Sequence, residues 1–262
     1  MSPTCVEPKG GNINVLWIHT ITMFRCWTSV ILALIVTATY VTSLPGSYAI
    51  QRRASKCNGY QDLCNRKYSN VTHIGAHDSF AVGKLGSLGS NQEANVTVQL
   101  EDGIRLLQIQ THASSGHQDS NPSGLSLCHT SCALKNGGTL ESYLRQVKQF
   151  LDQNKNEVVT LVITNPDNKP VSNFAKAFEN TGLNSMAYRA NSNSISKNDW
   201  PTLQELISQN QRVVVFLDYK ADVNQAKYIL PEFQNIWENP YDQTSSNFNC
   251  TPDRYIHGTQ NK

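Results

Sequence analysis

Val158-Val159-Thr160-Leu161-Val162-Ile163 is an unbroken β-prone run with one polar member, Thr160. A strand wetted on one side alternates apolar and polar residues, whereas one apolar throughout is covered on both faces, as in a parallel sheet flanked by helices. Upstream, Leu140–Gln153 sets Leu140, Tyr143, Leu144, Val147, Phe150 and Leu151 at helical spacing with Glu141, Arg145, Lys148 and Asp152 outside, which predicts an amphipathic helix. Downstream, residues 172–180 and 202–209 predict two more helices, the second entered through Trp200-Pro201-Thr202, which puts proline near the first turn. Further β-rich runs lie at 72–77, 104–110, 125–129 and 213–218, with a short one at 186–189, and residues 112–124 and 190–199 read as loops. Strand and helix alternate, so the predicted class is α/β with crossover helices.

An open doubly wound sheet and a closed barrel both fit that alternation. No glycine-rich phosphate loop follows the first run, while polar residues gather where runs end: His77-Asp78, Gln110 and His112, His129, Asn165. Side chains at the C-terminal ends of several strands are the signature of a barrel mouth, which favours the barrel. Only five or six runs are countable against the usual eight, and the last forty or so residues contain none. The expected architecture is a (β/α) barrel over residues 50–262, incomplete at its C-terminus.

The 262 residues suit one main domain. A formal charge of +2, without basic runs or aromatic-basic platforms, argues against a nucleic-acid partner. The apolar run 27–41, preceded by Arg25 and followed by Ser47-Tyr48-Ala49, predicts a secretory signal peptide cleaved after Ala49. It is shorter than the roughly twenty residues a membrane span needs. Residues 1–49 are therefore expected to be a leader, with Met23 the more ordinary start and Arg52-Arg53 a second processing signal. Such cleavage removes Cys5 and Cys26. In an oxidising compartment the near neighbours Cys57 with Cys64, and Cys128 with Cys132, are the expected disulfides, leaving Cys250 alone. Asn70-Val71-Thr72, Asn95-Val96-Thr97 and Asn249-Cys250-Thr251 are glycosylation sequons that agree with export. The Cys128/Cys132 pair lacks a second ligand pair at zinc spacing, so neither a metal nor another cofactor is expected.

His77 and His129 each end an apolar run beside turn-forming residues. Imidazole titrates near neutrality, so one ring can take a proton from an attacking hydroxyl while the other gives one to a leaving oxygen. Asp78 suits either this chemistry or a simple turn cap. Asp218, ending the 213–218 run, is a further candidate for substrate contact.

The ordered set Gly75-Ala76-His77-Asp78-Ser79, Gly103-Ile104-Arg105-Leu106-Leu107-Gln108-Ile109-Gln110, Leu127-Cys128-His129-Thr130 and Asn156-Glu157-Val158-Val159-Thr160-Leu161 resembles the X-region of the phosphatidylinositol-specific phospholipase C superfamily. The likeness is greatest to its secreted fungal phospholipase-C-like phosphodiesterases, to which Phe216-Leu217-Asp218-Tyr219 and Ile236-Trp237-Glu238-Asn239-Pro240 are also similar. The resemblance implies an irregular TIM-type barrel that cleaves a phosphodiester by attack of an adjacent hydroxyl. It implies His77 as base, His129 as acid, Asp78 as orienting carboxylate and Arg105 as a site-supporting residue. The chain departs from the family where charge is expected. Calcium-dependent members carry acids at the positions of Gln108 and Gln110 and another near Thr164-Asn165, and metal-independent members carry arginine at the position of Gln110. Bound calcium is thus not expected, Gln108, Gln110 and Asn165 become polar substrate contacts, and His112 is a candidate source of charge. The resulting expectation is a secreted, monomeric phosphoric diester hydrolase acting on a phosphoinositide or another phosphodiester, touching membrane surfaces transiently. The rival expectations are an inactive barrel that binds a phosphorylated or glycan ligand at the cell surface, and a fragment too incomplete to fold alone.

Overall fold

The computed structural model describes residues 15–18, 54–84, 86–114, 121–240 and 252–254. The 27–41 run, Met23, the cleavage site after Ala49, Arg52-Arg53, Cys5, Cys26, Cys250 and the sequon at Asn249 lie outside them. In chain order the strands and helices are β1 (Val15–Ile18), β2 (His73–Ala76), α1 (Val96–Glu101), β3 (Leu106–Ala113), β4 (Leu125–Cys128), β5 (Asn136–Thr139), α2 (Leu140–Gln153), β6 (Val159–Thr164), α3 (Val171–Thr181), α4 (Leu203–Ser208), β7 (Val213–Leu217) and β8 (Ile229–Pro231). Among the described residues no helix is long and apolar enough to cross a membrane.

The main sheet is parallel, in the order β1-β2-β3-β6-β7-β8. This is the α/β class expected for the barrel kind, with β1 and β8 as the two ends of the path among the described residues. Burial on both faces is the reason the strands are so apolar. Val159, Leu161 and Ile163 of β6 and Val213, Val215 and Leu217 of β7 pack with α2 and α3 in one cluster. Val162, Val214 and Phe216 point the other way, into a second cluster with Tyr68, Trp200, Leu203 and Leu206. Each such side chain, fully buried, contributes about 1.5–3 kcal/mol. The polar member of the run is matched too, since Thr160 Oγ1 meets the Tyr68 hydroxyl at 2.6 Å.

The helices end as their sequences dictate. Thr139 caps α2 by accepting from the Ser142 N–H at 3.1 Å, and Thr202 with Glu205 forms a reciprocal capping box at α4. Gly182 closes α3 in the left-handed conformation, φ +71°, which only glycine adopts without strain. Arg212, 2% exposed, donates from Nη1 to the carbonyls of Leu151 and Asn154 and so satisfies the last turn of α2 with a cation, the sign that turn favours.

Two expectations need correction. Residues 125–129 do not add a parallel barrel strand. β3 runs beyond the parallel sheet, and β4 folds back antiparallel on its protruding end, with Thr111 opposite Leu127 and Ala113 opposite Leu125. Residues 186–189 form no strand either: a 3-10 turn at Leu183–Met186 leads to a single bridge between Ala187 and Val213.

Candidate active site

Parallel register brings the strand ends to one edge. Ala76 of β2 pairs with Leu107, Gln110 of β3 with Thr164, and Ile163 of β6 with Leu217. The residues that follow, His77-Asp78, Asn165 and Asp218, therefore leave the sheet on the same side, and the β4 hairpin delivers His129 beside Gln110.

The centre of the arrangement is Asp78. Its carboxylate, 4% exposed, places Oδ2 3.3 Å from His77 Nε2 and 3.4 Å from His129 Nε2. The imidazoles keep 34% and 27% of their surface open. One buried carboxylate thus bridges two accessible rings. His129 Nδ1 lies 3.0 Å from the Gly89 carbonyl, which can only accept, so Nδ1 carries a hydrogen and Nε2 is the nitrogen left to exchange a proton. The His77 carbonyl is held by Gln92 Nε2 at 2.7 Å.

Both histidines are followed by a residue in the left-handed region, Asp78 at φ +42° and Thr130 at φ +61°. That conformation is tolerable for aspartate and costly for a β-branched residue, about 1–3 kcal/mol for a strained position. The structure opposes the strain in the same way twice. Gln108 Oε1 accepts the Asp78 N–H at 2.7 Å, and Gln110 Oε1 accepts the Thr130 N–H at 2.7 Å. Residues two apart on a strand project to one face, so β3 carries both clamps side by side.

The two disulfides, Cys57–Cys64 and Cys128–Cys132, join the pairs expected. The second brackets His129. Its loop leans on Val82 and Gly89, where the Lys135 ammonium donates to the Val82 carbonyl and the Leu134 and Lys135 side chains pack on Gly89.

Several expected substrate contacts are spent elsewhere. Arg105 precedes β3 and so lies at the opposite edge from the histidines. Its Nε donates to Glu157 at 2.8 Å, Nη1 serves the Leu100 and Ile104 carbonyls, and the guanidinium covers the Phe150 ring. It is a strut between β3, α2 and the start of β6. Asn165 is fully buried and has its side chain committed: Oδ1 accepts from Lys169 N–H, and Nδ2 donates to the Lys169 and Tyr219 carbonyls. His112 pairs through Nδ1 with Asp167 at 3.1 Å rather than with the histidine pair, and the Asp167 carboxyl is held below its usual range first by the Ala113 N–H and then by His112.

Asp218 accepts from the N–H groups of Asn165 and Tyr219, yet burial outweighs those bonds and pushes its pKa up to about 6. Beside it Glu232 is buried and also pushed up, by burial first and then by Glu238, while Arg254 pairs with Glu238. Sequence reading missed this Glu232–Glu238–Arg254 group. It also missed Gly89 and Gln92, whose parts depend on contacts with no local pattern.

The donor set fits calcium poorly. The amide oxygens of Gln108, Gln110 and Asn165, the neutral oxygens nearest to a ligand role, are already occupied by backbone N–H groups, and a hard cation prefers several charged oxygens.

A parallel α/β sheet with a carboxylate-bridged histidine pair at its C-terminal edge defines the class, and comparison with known sequences places it. The family described as PI-PLC X 1 matches residues 63–262, and the chain belongs to it. An uncharacterized secreted protein of Arthroderma benhamiae is 45% identical over 194 residues, which span 74% of this chain and 42% of that protein. A PI-PLC X domain-containing protein of the same organism is 42% identical over 225 residues, 85% of this chain and 69% of the relative. A PI-PLC X domain-containing protein of Arabidopsis thaliana is 30% identical over half of this chain and 30% of its own length. Among solved structures, the phosphatidylinositol-specific phospholipase C of Listeria monocytogenes superposes with a TM-score of 0.41 at 18% identity, covering 56% of this chain and 50% of that one.

Proposed function

We propose that this protein is a secreted phosphoric diester hydrolase that cleaves an inositol phosphodiester by intramolecular attack, using two histidines and no metal. The observation that carries the reading is the single Asp78 carboxylate within 3.4 Å of Nε2 of both His77 and His129. Family membership and the secreted Arthroderma relative support the reaction class and the compartment.

His77 removes the proton of the hydroxyl next to the phosphate, that oxygen bonds to phosphorus, the bond from phosphorus to the leaving glycerol oxygen breaks, and His129 supplies the proton that oxygen needs. The products are a cyclic phosphodiester and an alcohol. Water then opens the ring with the two roles reversed, which restores both histidines. Asp78 holds the rings in register and offsets whichever is cationic. Leu88 and Leu134, 84% and 43% exposed on the loops that flank His129, give the mouth an apolar rim that suits a lipid tail.

The missing charge at Gln108 and Gln110 favours a second reading, a binding barrel without turnover. Turnover of phosphatidylinositol vesicles by the full chain, with and without chelator, decides between the two. Activity that survives chelator and is lost in His77→Ala and His129→Ala supports the enzyme. No turnover in folded protein supports the binding barrel.

A further inference from the structure

The phosphorane formed in such a reaction needs stabilisation, and two cations are not free to give it: Lys135 on the His129 loop donates to the Val82 carbonyl, and Arg105 lies at the opposite edge with Glu157. The carboxamides of Gln108 and Gln110 offer a different solution. A backbone N–H can only donate, so the atom facing Asp78 N and the atom facing Thr130 N are both amide oxygens. Each carboxamide is thereby locked in one orientation, with Nε2 as its outer end. Neither Nε2 makes a hydrogen bond among the described residues. Because Gln108 and Gln110 are two apart on β3, the two NH2 groups stand on one face, and their oxygens are bonded to the residues that directly follow the two histidines.

The geometry points to Gln108 and Gln110 as a paired neutral oxyanion site, whose Nε2 hydrogens bind the non-bridging phosphate oxygens between His77 and His129. This rests on the phosphodiester reading above and deepens it. It explains why glutamine serves where a carboxylate would clamp the same N–H groups equally well. A glutamate would hold the backbone through one oxygen and present a second, negative oxygen to the phosphate, whereas glutamine presents a donor. Donors fixed before the reaction cost no reorganisation when charge develops.

The test is Gln108→Glu and Gln110→Glu, near-isosteric changes that keep the backbone clamp and reverse the outer end, assayed with chelator present. Turnover of a soluble nitrophenyl phosphodiester of inositol is expected to fall about a hundredfold or more per substitution, the usual loss for one oxyanion donor. The deficit shrinks as pH drops into the ordinary glutamate range, where the carboxyl regains a hydrogen. Binding of inositol phosphate, measured by calorimetry, weakens in parallel, with thermal midpoints near wild type. In the unmodified protein, the side-chain NH2 resonances of Gln108 and Gln110 shift on titration with inositol phosphate, a readout that survives even if a glutamate variant fails to fold. Unchanged turnover and unchanged binding in both folded variants, or NH2 resonances indifferent to inositol phosphate, overturn the donor assignment while leaving the histidine mechanism standing. Weaker binding in the variants of a wild type that shows no turnover keeps the donor site and removes the catalytic reading.

Discussion

His73 sits in β2, four residues before His77, 1% exposed and packed on Tyr68 with ring centroids 4.7 Å apart and the rings tilted by 39°. Its Nε2 meets the Tyr68 carbonyl at 3.3 Å, and Nδ1 has no partner. Burial disfavours the charged ring and lowers its pKa from 6.5 to about 4, an effect the Tyr68 carbonyl only partly offsets. Between these values the unfolded chain takes up a proton that the folded chain refuses, so stability present above pH 6.5 is lost as pH falls toward 4. Near pH 4.5 the loss from this one group is about 2.5 kcal/mol. His73→Phe keeps the ring packing and removes the titration, at a constant cost of about 1 kcal/mol for the bond to Tyr68. Urea unfolding from about pH 7.5 to 4.5, disulfides intact, should show the wild-type curve descending toward the variant and crossing it in acid. Parallel curves would refute the argument that burial keeps His73 neutral.

Three other expectations are open to direct measurement. Asp78→Asn keeps the N–H held by Gln108 but removes the charge between the rings, so kcat should fall about 10²–10⁴-fold with little change in thermal midpoint. Asp218→Asn retains an oxygen for the Asn165 and Tyr219 N–H groups and cannot ionise. Since the Asp218 pKa is raised by burial, its stabilisation is lost as pH rises through about 6, and the variant should gain about 3 kcal/mol over wild type by calorimetry above pH 7 and nothing below pH 4. Joint replacement Cys128→Ser and Cys132→Ser opens a loop of sequence separation 4, which costs about 2 kcal/mol. It should lower kcat/KM by more than that stability loss accounts for, because the loop holds His129 against Gly89; equal activity of the folded variant would show the bridge to be only a staple.

The sheet was legible because burial on two faces writes itself into composition: the Val158–Ile163 run, the Leu140–Gln153 stripe and the 213–218 run were all readable from pattern alone. The histidine pair was legible because strand ends carry functional groups to a common edge. β8 and β5 were not, being three or four residues long with glycine or proline inside. The direction of β4 was hidden because an apolar run does not state which strand it will join, or which way round. Arg105 misled for a related reason. Its motif position is informative, but its place before rather than after β3 puts it at the wrong edge, where Glu157 is its partner. Gln92 and Gly89 act through single contacts across 15 and 40 residues, which no local spacing encodes.

The short strand β1 has a consequence for how the chain is matured and handled. Val15–Ile18 pairs in register with His73–Ala76, within a segment expected to be lost with a leader. Export with cleavage after Ala49, or synthesis begun at Met23, removes that strand and leaves the outer backbone groups of β2 without it. An uncovered strand edge accepts whichever extended segment arrives next, from the same chain or a neighbouring one. Recombinant protein that starts at residue 50 should therefore be more prone to self-association than the longer chain.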